Sequence, residues 1–528
     1  MELISLKYLA FLALVLTTYY AVGHRAPTLQ WVALLAGSLA LYALLGGWAA
    51  LGLMIVIALV TWVGSLLLYR IEQNGKAARK ATDVRDKKLK ITRVFRHRRR
   101  LVFACTLALC LAELVYFKVR SDSYAYLGAP TLRGMLVPLG LSFYLLQALG
   151  YLIDSYRGRY VPQGNFARYL LFVSYFPQIA YGPINRYEDL LGQLTEPHRP
   201  GGIHVERGLL RMGFGALKIL AISNVLSNAV STVFLEAAGP NISGSLAIYG
   251  VMVYAVYAYA EFSGVIDIME GISELFGIRM APNYRQPFFA TSLTDFWGRW
   301  HVTLITWMND YVYEPLLTCK PVLRLGTSLR TRFAARTARA IVACVPTVLT
   351  FVLVGLWYGM EPRYAVWGLY NGLVITLGAL LAPLFGKLAD PLGMGRTSRR
   401  LYAFRLVRTF LLVCVGRFFE CFGSLSLAWH ALGNALGGAF ATSVPAALGK
   451  AGAVYASGWG FTVPTILACI IVLAADVALE RGVDVRATVL GWRLPARVAL
   501  YALVIVLMGC AAALDTTNGG GDLLYAFS

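Results

Sequence analysis

Apolar windows long enough to cross about 30 Å of hydrocarbon recur from one end of the 528-residue sequence to the other, and this feature constrains the fold most. They fall near 8–23, 29–48, 49–70, 101–118, 134–154, 207–235, 246–270, 339–358, 363–385, 405–423, 458–478 and 497–514. Inside hydrocarbon every backbone N–H and C=O must be satisfied within the segment, which leaves helices or a closed barrel. Windows of this length are helical, since a barrel strand needs only about ten residues. The expectation is an all-α, polytopic membrane protein with about 10–12 transmembrane helices, forming a single integral membrane domain over residues 1–528. Composition agrees: hydrophobic residues make up 58%, charged residues 14%, and mean hydropathy is +0.62. A soluble domain carries far more charge. In the first window Lys7 precedes an apolar core, but Tyr19, Tyr20 and His24 make a poor cleavage site, so it reads as an uncleaved first helix.

A net charge of +21 would suggest nucleic acid in a soluble protein. Here the charge is gathered in loops beside spans and no recognition motif accompanies it, so nucleic acid is not an expected partner. Residues 71–100 hold twelve Lys or Arg against three acids. The loop 320–339 has six basic residues and no acid, and a further cluster runs from Arg396 to Arg408. Such residues mark the cytoplasmic side and favour anionic lipid headgroups. With 71–100 as a basic cytoplasmic loop after three apolar windows, the N-terminus is expected outside.

The eight cysteines (Cys105, Cys110, Cys319, Cys344, Cys414, Cys421, Cys469 and Cys510) form no CxxC pair and mostly sit in apolar windows. They read as small buried hydrophobes, with no metal expected. Neither a Walker A sequence nor a Rossmann fingerprint appears, so no bound cofactor is expected.

The segment 287–318 is too polar for a lipid-facing span. Asp295, Arg299, His301, Asn309, Asp310 and Glu314 lie among Phe296, Trp297, Trp300, Trp307, Tyr311 and Tyr313. On one continuous helix Trp297, Trp300, His301 and Leu304 would share a face by i, i+3, i+4, i+7 spacing. From the residues alone that face lines either an interior cavity or an interfacial aromatic belt.

The motifs then carry a resemblance. Phe296-Trp297-Gly298-Arg299-Trp300-His301 is followed by Asp310-Tyr311-Val312-Tyr313. Upstream stand Phe262-Ser263-Gly264, Asp267, Phe276-Gly277 and Asn283-Tyr284. Before those come Ser142-Phe143-Tyr144, Gln147, Tyr151-Leu152-Ile153-Asp154, Tyr156-Arg157-Gly158, Tyr175-Phe176-Pro177-Gln178, Gly182-Pro183-Ile184 and Arg186-Tyr187. Gly355-Leu356-Trp357 and Trp367-Gly368 follow. In this order and spacing, over residues about 140–425, the run resembles the membrane-bound O-acyltransferases (MBOAT). The bacterial branch with alginate O-acetyltransferases and the teichoic-acid D-alanyl transferase is the nearest.

The resemblance implies a ring of helices with re-entrant segments around a central tunnel, in the bacterial inner (cell) membrane. Its implied reaction moves an acyl group, acetyl or aminoacyl, from a cytosolic thioester to a hydroxyl of an extracytoplasmic polymer, lipid or metabolite. The implied donor is an acyl-carrier protein or coenzyme A thioester; a separate periplasmic acyltransferase and membrane lipids are further implied partners. His301 and Tyr358 become the catalytic candidates, with Trp297, Arg299, Trp300, Asn309, Asp310 and Trp357 as substrate-binding candidates.

The pattern breaks at one place. Family members carry a second histidine after Gly-Leu-Trp, where this chain has Gly355-Leu356-Trp357-Tyr358-Gly359. A phenol with pKa about 10 is a poor base at neutral pH but can donate a hydrogen bond. Trp367-Gly368-Leu369-Tyr370-Asn371-Gly372 also lacks a family histidine, and Phe418-Phe419-Glu420-Cys421 has an acid where the family often has arginine. Three readings follow. His301 acts as base with Tyr358 as donor; His430 compensates from another helix; or the fold serves as a non-catalytic scaffold or acyl-export channel.

Overall fold

The computed structural model describes residues 6–127, 140–231, 233–234, 239, 242–389, 398–437 and 459–515. Among them every regular element is helical. Nine of the described helices are long and apolar enough to span a membrane. The protein is therefore a multi-pass, all-α membrane protein.

Four of the twelve windows account for the lower number. Windows 29–48 and 49–70 run together as α2 (Gln30–Lys80), interrupted at Gly47, whose φ of 76° and ψ of 169° no helix contains. Window 134–154 begins outside the described residues, and its remainder is α4 (Leu141–Arg157), 17 residues long. That is short of the roughly 20 a span needs. Window 405–423 lies in α17 (Arg399–Cys421), where Arg405, Arg408, Arg417 and Glu420 interrupt the apolar run.

The chain divides into two compact units. The first takes residues 1–209 and 269–281. It contains α1 (Leu6–Arg25), α2, α3 (Arg85–Leu127), α4, α5 (Phe166–Ser174), α6 (Phe176–Tyr181) and α7 (Tyr187–Thr195), the start of α8 (Gly202–Leu217) and the end of α10 (Gly244–Leu275). Residues 71–100 are not an irregular loop. The end of α2 and the start of α3 carry them as a helical hairpin, turned at residues 81–84. Glu72 takes Lys76 at 2.8 Å and Arg99 at 3.2 Å, so most of the positive charge stays uncompensated and solvated.

Several motif residues of this unit meet in one buried cluster. Asn185 Nδ2 donates to Gln178 Oε1 (2.8 Å) and to the Pro183 carbonyl (3.0 Å), while Asn185 Oδ1 accepts from the Ala281 N–H (2.8 Å). The Tyr175 and Ser273 hydroxyls share a hydrogen bond of 2.9 Å, and Tyr20 Oη donates to the Leu275 carbonyl at 2.6 Å. Buried amides are tolerable because each finds a partner.

The second unit takes residues 210–268 and 282–528. It holds the remainder of α8 and α10, α9 (Asn224–Ser231), α11 (Leu293–Trp297), α12 (Val302–Met308), α13 (Glu314–Leu317), α14 (Lys320–Arg330), α15 (Ala335–Tyr358), α16 (Pro362–Ala389), α17, α18 (Leu425–Leu436), α19 (Trp459–Glu480), α20 (Val485–Leu490) and α21 (Leu494–Asp515). A π-helical stretch, Lys218–Ser223, joins α8 to α9. There Lys218, only 4% exposed, reaches Asp267 at 2.7 Å, and Arg211 reaches the same carboxylate at 3.1 Å. A charge at this depth is retained because it is paired.

α15 and α16 form an antiparallel pair across a short connection, and glycine sets their spacing. A Cβ on Gly355 would lie 2.1 Å from the Tyr364 carbonyl oxygen, and one on Gly368 would lie 2.3 Å from that of Phe351. Only small residues permit such close backbone approach between membrane helices. This contact delivers Tyr358, the last residue of α15, to the candidate site.

Candidate functional site

The segment around His301 is not one amphipathic helix. α11 ends at Trp297, the chain turns through 298–301, and α12 starts at Val302. The continuous face expected for Trp297, Trp300, His301 and Leu304 therefore does not form. His301 instead takes left-handed backbone (φ 48°, ψ 48°), as does Gln286 (φ 42°). These are the two non-glycine residues with positive φ among those described. Such backbone costs roughly 1–2 kcal/mol per residue and persists only where neighbours over-determine it.

The neighbours are identifiable. The Arg285 N–H donates to the Arg299 carbonyl and the Val302 N–H to the Asn283 carbonyl, each at 2.9 Å. Asn283 Oδ1 accepts from both the N–H (3.0 Å) and the hydroxyl (2.8 Å) of Thr303. Asn283 is 1% exposed, so this brace is dry. Ser292 caps α11 by accepting from the Asp295 N–H at 3.1 Å. The result is a turn with little freedom at its apex, where His301 sits.

His301 is surrounded by protein and half-buried. It lies outside the spanning helices, and burial pushes its pKa down to about 4, keeping the imidazole neutral at physiological pH. Trp300 and Trp297 beside it are 3% and 4% exposed. Trp300 packs with Tyr284 (5.1 Å between centroids) and stacks on Phe296 (5.6 Å), and the Arg417 guanidinium lies 4.8 Å over its ring. That guanidinium is neutralised by Glu420, which also accepts from Tyr254 Oη at 3.4 Å.

Tyr358 joins this cluster through a row of rings. Its ring lies 5.4 Å from Trp367, which meets Trp297 at 5.4 Å and 90°. Trp297 Nε1 donates to Asn371 Oδ1 at 3.0 Å, and Asn371 Nδ2 donates back to the Trp367 carbonyl at 2.9 Å. Tyr358 is half-buried, as is Trp357 before it. Asn371 stands in the second altered motif and holds Trp297 in place.

The other sequence candidates divide. Arg299 is committed to carboxylates: Nε to Asp295 at 2.7 Å, Nη1 to Glu480 at 2.7 Å and Nη2 to Glu480 at 3.2 Å. Asn309 is exposed at the start of the π-helical turn Asn309–Tyr313, and Asp310 is half-buried there. His430 lies exposed on α18, outside these contacts.

This geometry can be set beside known proteins. Residues 162–333 match the family model described as "MBOAT, membrane-bound O-acyltransferase family". A Pseudomonas aeruginosa protein named "Probable alginate O-acetylase AlgI" is 29% identical over 439 residues, covering 80% of this chain and 72% of that one. Over residues 162–333 the chain is thus similar to the membrane-bound O-acyltransferases. A Helicobacter pylori peptidoglycan O-acetyltransferase is 25% identical over 269 residues (46% of this chain, 47% of that one). A Bacillus subtilis teichoic acid D-alanyltransferase is 27% identical over 247 residues (45% and 58%). The names of these relatives are those of acyltransferases.

Several residues of this cluster escaped sequence reasoning. Arg417 carried a usable signal, a cation in an apolar window, which marks function or pairing by default. Asp476 carried the same kind of signal, as an acid inside the window 458–478, whereas Glu480 just beyond that window, far along the chain from residues 287–318, carried none.

Proposed function

We propose that the protein transfers an acyl group from a cytosolic thioester to a hydroxyl of an extracytoplasmic polymer, with His301 as general base and Tyr358 as hydrogen-bond donor. The observation that carries the reading is the braced, left-handed turn that holds a neutral, half-buried His301 directly after Trp300, whose ring belongs to the aromatic cluster that also takes in Tyr358. Strain of this kind, maintained by surrounding hydrogen bonds, concentrates at active sites.

His301 takes the acceptor's hydroxyl proton as the oxygen attacks the thioester carbonyl. The developing oxyanion receives the Tyr358 O–H. The carbon–sulfur bond then breaks, the thiolate takes the proton from the imidazolium, and ester and free thiol leave. No proton is gained or lost overall. A base with so low a pKa works because proton transfer accompanies bond formation rather than preceding it. The packed tryptophans keep bulk water from the thioester, which would otherwise be hydrolysed.

A polymer acceptor is favoured by the relatives, whose names refer to alginate, peptidoglycan and teichoic acid. The basic hairpin at 71–100 suits a cytoplasmic donor that is acidic or phosphate-rich, either an acyl-carrier protein or coenzyme A, because complementary charge steers encounter. In this reading the protein lies in the bacterial inner membrane with its N-terminus outside, and a periplasmic transferase can receive the group. The test is acyl transfer to the native polymer in cells carrying His301→Ala, with protein level in the membrane measured alongside. Loss of product at normal protein level is expected. Retained product overturns the reading and favours a scaffold or acyl-export channel.

A further inference from the structure

α19, residues 459–480, lies outside both the matched region 162–333 and the motif run 140–425. Its last turn nevertheless reaches the residues that shape the His301 turn. Asp476 and Glu480 are four apart, so they project from one helix face. Glu480 takes both Nη atoms of Arg299, at 2.7 and 3.2 Å, in the two-pronged geometry that fixes a guanidinium in a plane. Arg299 stands two residues before His301. Its carbonyl accepts from the Arg285 N–H, one of the bonds that hold the left-handed turn. Asp295 completes the clamp on Nε at 2.7 Å, and its second oxygen accepts from the Thr291 N–H at 2.9 Å.

Asp476 acts one turn earlier. It is 7% exposed and accepts from Tyr259 Oη at 2.8 Å. The Tyr259 ring stands 6.4 Å from Trp300 and 5.2 Å from Phe288. The two carboxylates of α19 thus grip both sides of the turn, one through Arg299 and the other through the aromatic wall behind Trp300. Burying an acid against an apolar helix is costly unless it is paired, and here one pair ends on the turn itself while the other ends on Tyr259 of α10, whose ring stands near Trp300.

We infer that Glu480 and Asp476 are positioning residues of the transfer site, acting on His301 through Arg299 and through Tyr259 with Trp300. This rests on the catalytic reading of His301. It also assigns Arg299 to holding the site rather than to binding substrate.

The test uses the full-length protein in membranes, with kcat and KM for acyl transfer measured per molecule of enzyme. Glu480→Gln keeps the side-chain shape and removes the charge. It should lower kcat roughly 10- to 100-fold, the scale of a misplacement of about 1 Å, with KM little changed. Glu480→Asp should recover part of the loss. Tyr259→Phe removes the Asp476 hydrogen bond without changing any charge and should lower kcat several-fold. Wild-type kcat in Glu480→Gln, or a loss confined to KM or to protein amount, overturns the inference. Should Glu480→Gln fail to accumulate, full kcat in Tyr259→Phe overturns it instead. His301→Ala measured in parallel separates the two levels. If that variant keeps transfer, the catalytic reading fails; if it loses transfer while Glu480→Gln and Tyr259→Phe do not, only the positioning role fails.

Discussion

The two motif clusters, one around Asn185 in the first unit and the other around His301 in the second, resemble each other in sequence terms and differ in physics. Each gathers family-like residues from distant parts of the chain. The Asn185 cluster is closed: Gln178 and Asn185 are 1% and 4% exposed, and neutral amides, hydroxyls and carbonyls satisfy one another. The His301 cluster has the same dry bracing at Asn283, but its apex is left-handed, charged pairs grip its flanks, and His301 and Tyr358 keep surface open. A recurring motif therefore reports that a position is constrained, not why. Openness combined with strain is what sets the proposed catalytic residue apart from the residues that hold the frame.

Substitutions can break or sharpen that contrast. The largest effect should come from His301→Ala, which removes the base and should lower transfer by about 10²–10⁴ without lowering the amount of protein. Rates measured per molecule decide it. Next, Tyr358→Phe should slow the reaction by roughly 10²–10³, the cost of one transition-state donor. Tyr358→His should be tolerated or faster, since it restores the family's second histidine; a dead Tyr358→His with a fully active Tyr358→Phe would remove the tyrosine from the mechanism.

In the closed cluster the signature should invert. Asn185→Ala leaves the Ala281 N–H and Gln178 unsatisfied, at about 1–3 kcal/mol for each buried group. The expected result is less folded protein and a lower melting temperature at unchanged kcat. A fall in kcat with normal stability would blur the distinction between the clusters. The smallest effect concerns pH. Because burial lowers the pKa of His301 to about 4, the imidazole stays in its base form well below the usual histidine range. Lowering pH from 7 to 5.5 should change the rate by less than about twofold, with loss only as pH approaches 4. A half-maximal rate near 6.5, measured in sealed vesicles, would show an ordinary, hydrated histidine.

Much of this protein was determined by sequence alone. Long apolar windows admit only helices in hydrocarbon, and the order of the motifs from Ser142 to Gly368 is legible without coordinates. His301 and Tyr358 could be singled out there too, because motif spacing is a one-dimensional property, and their catalytic roles stand as a proposal. The helical face drawn through Trp297, Trp300 and His301 was not correct, since periodicity assumes a continuous helix and the turn at 298–301 interrupts it. Tertiary structure alone decided that Arg299 is gripped by Glu480 and that Arg417 lies over Trp300. It also decided that Tyr358 reaches the cluster through Trp367. The physical reason is range. Helix formation and membrane insertion are summed over neighbours in the chain, whereas the turn that holds His301 depends on partners up to 181 residues away, whose proximity no local pattern encodes.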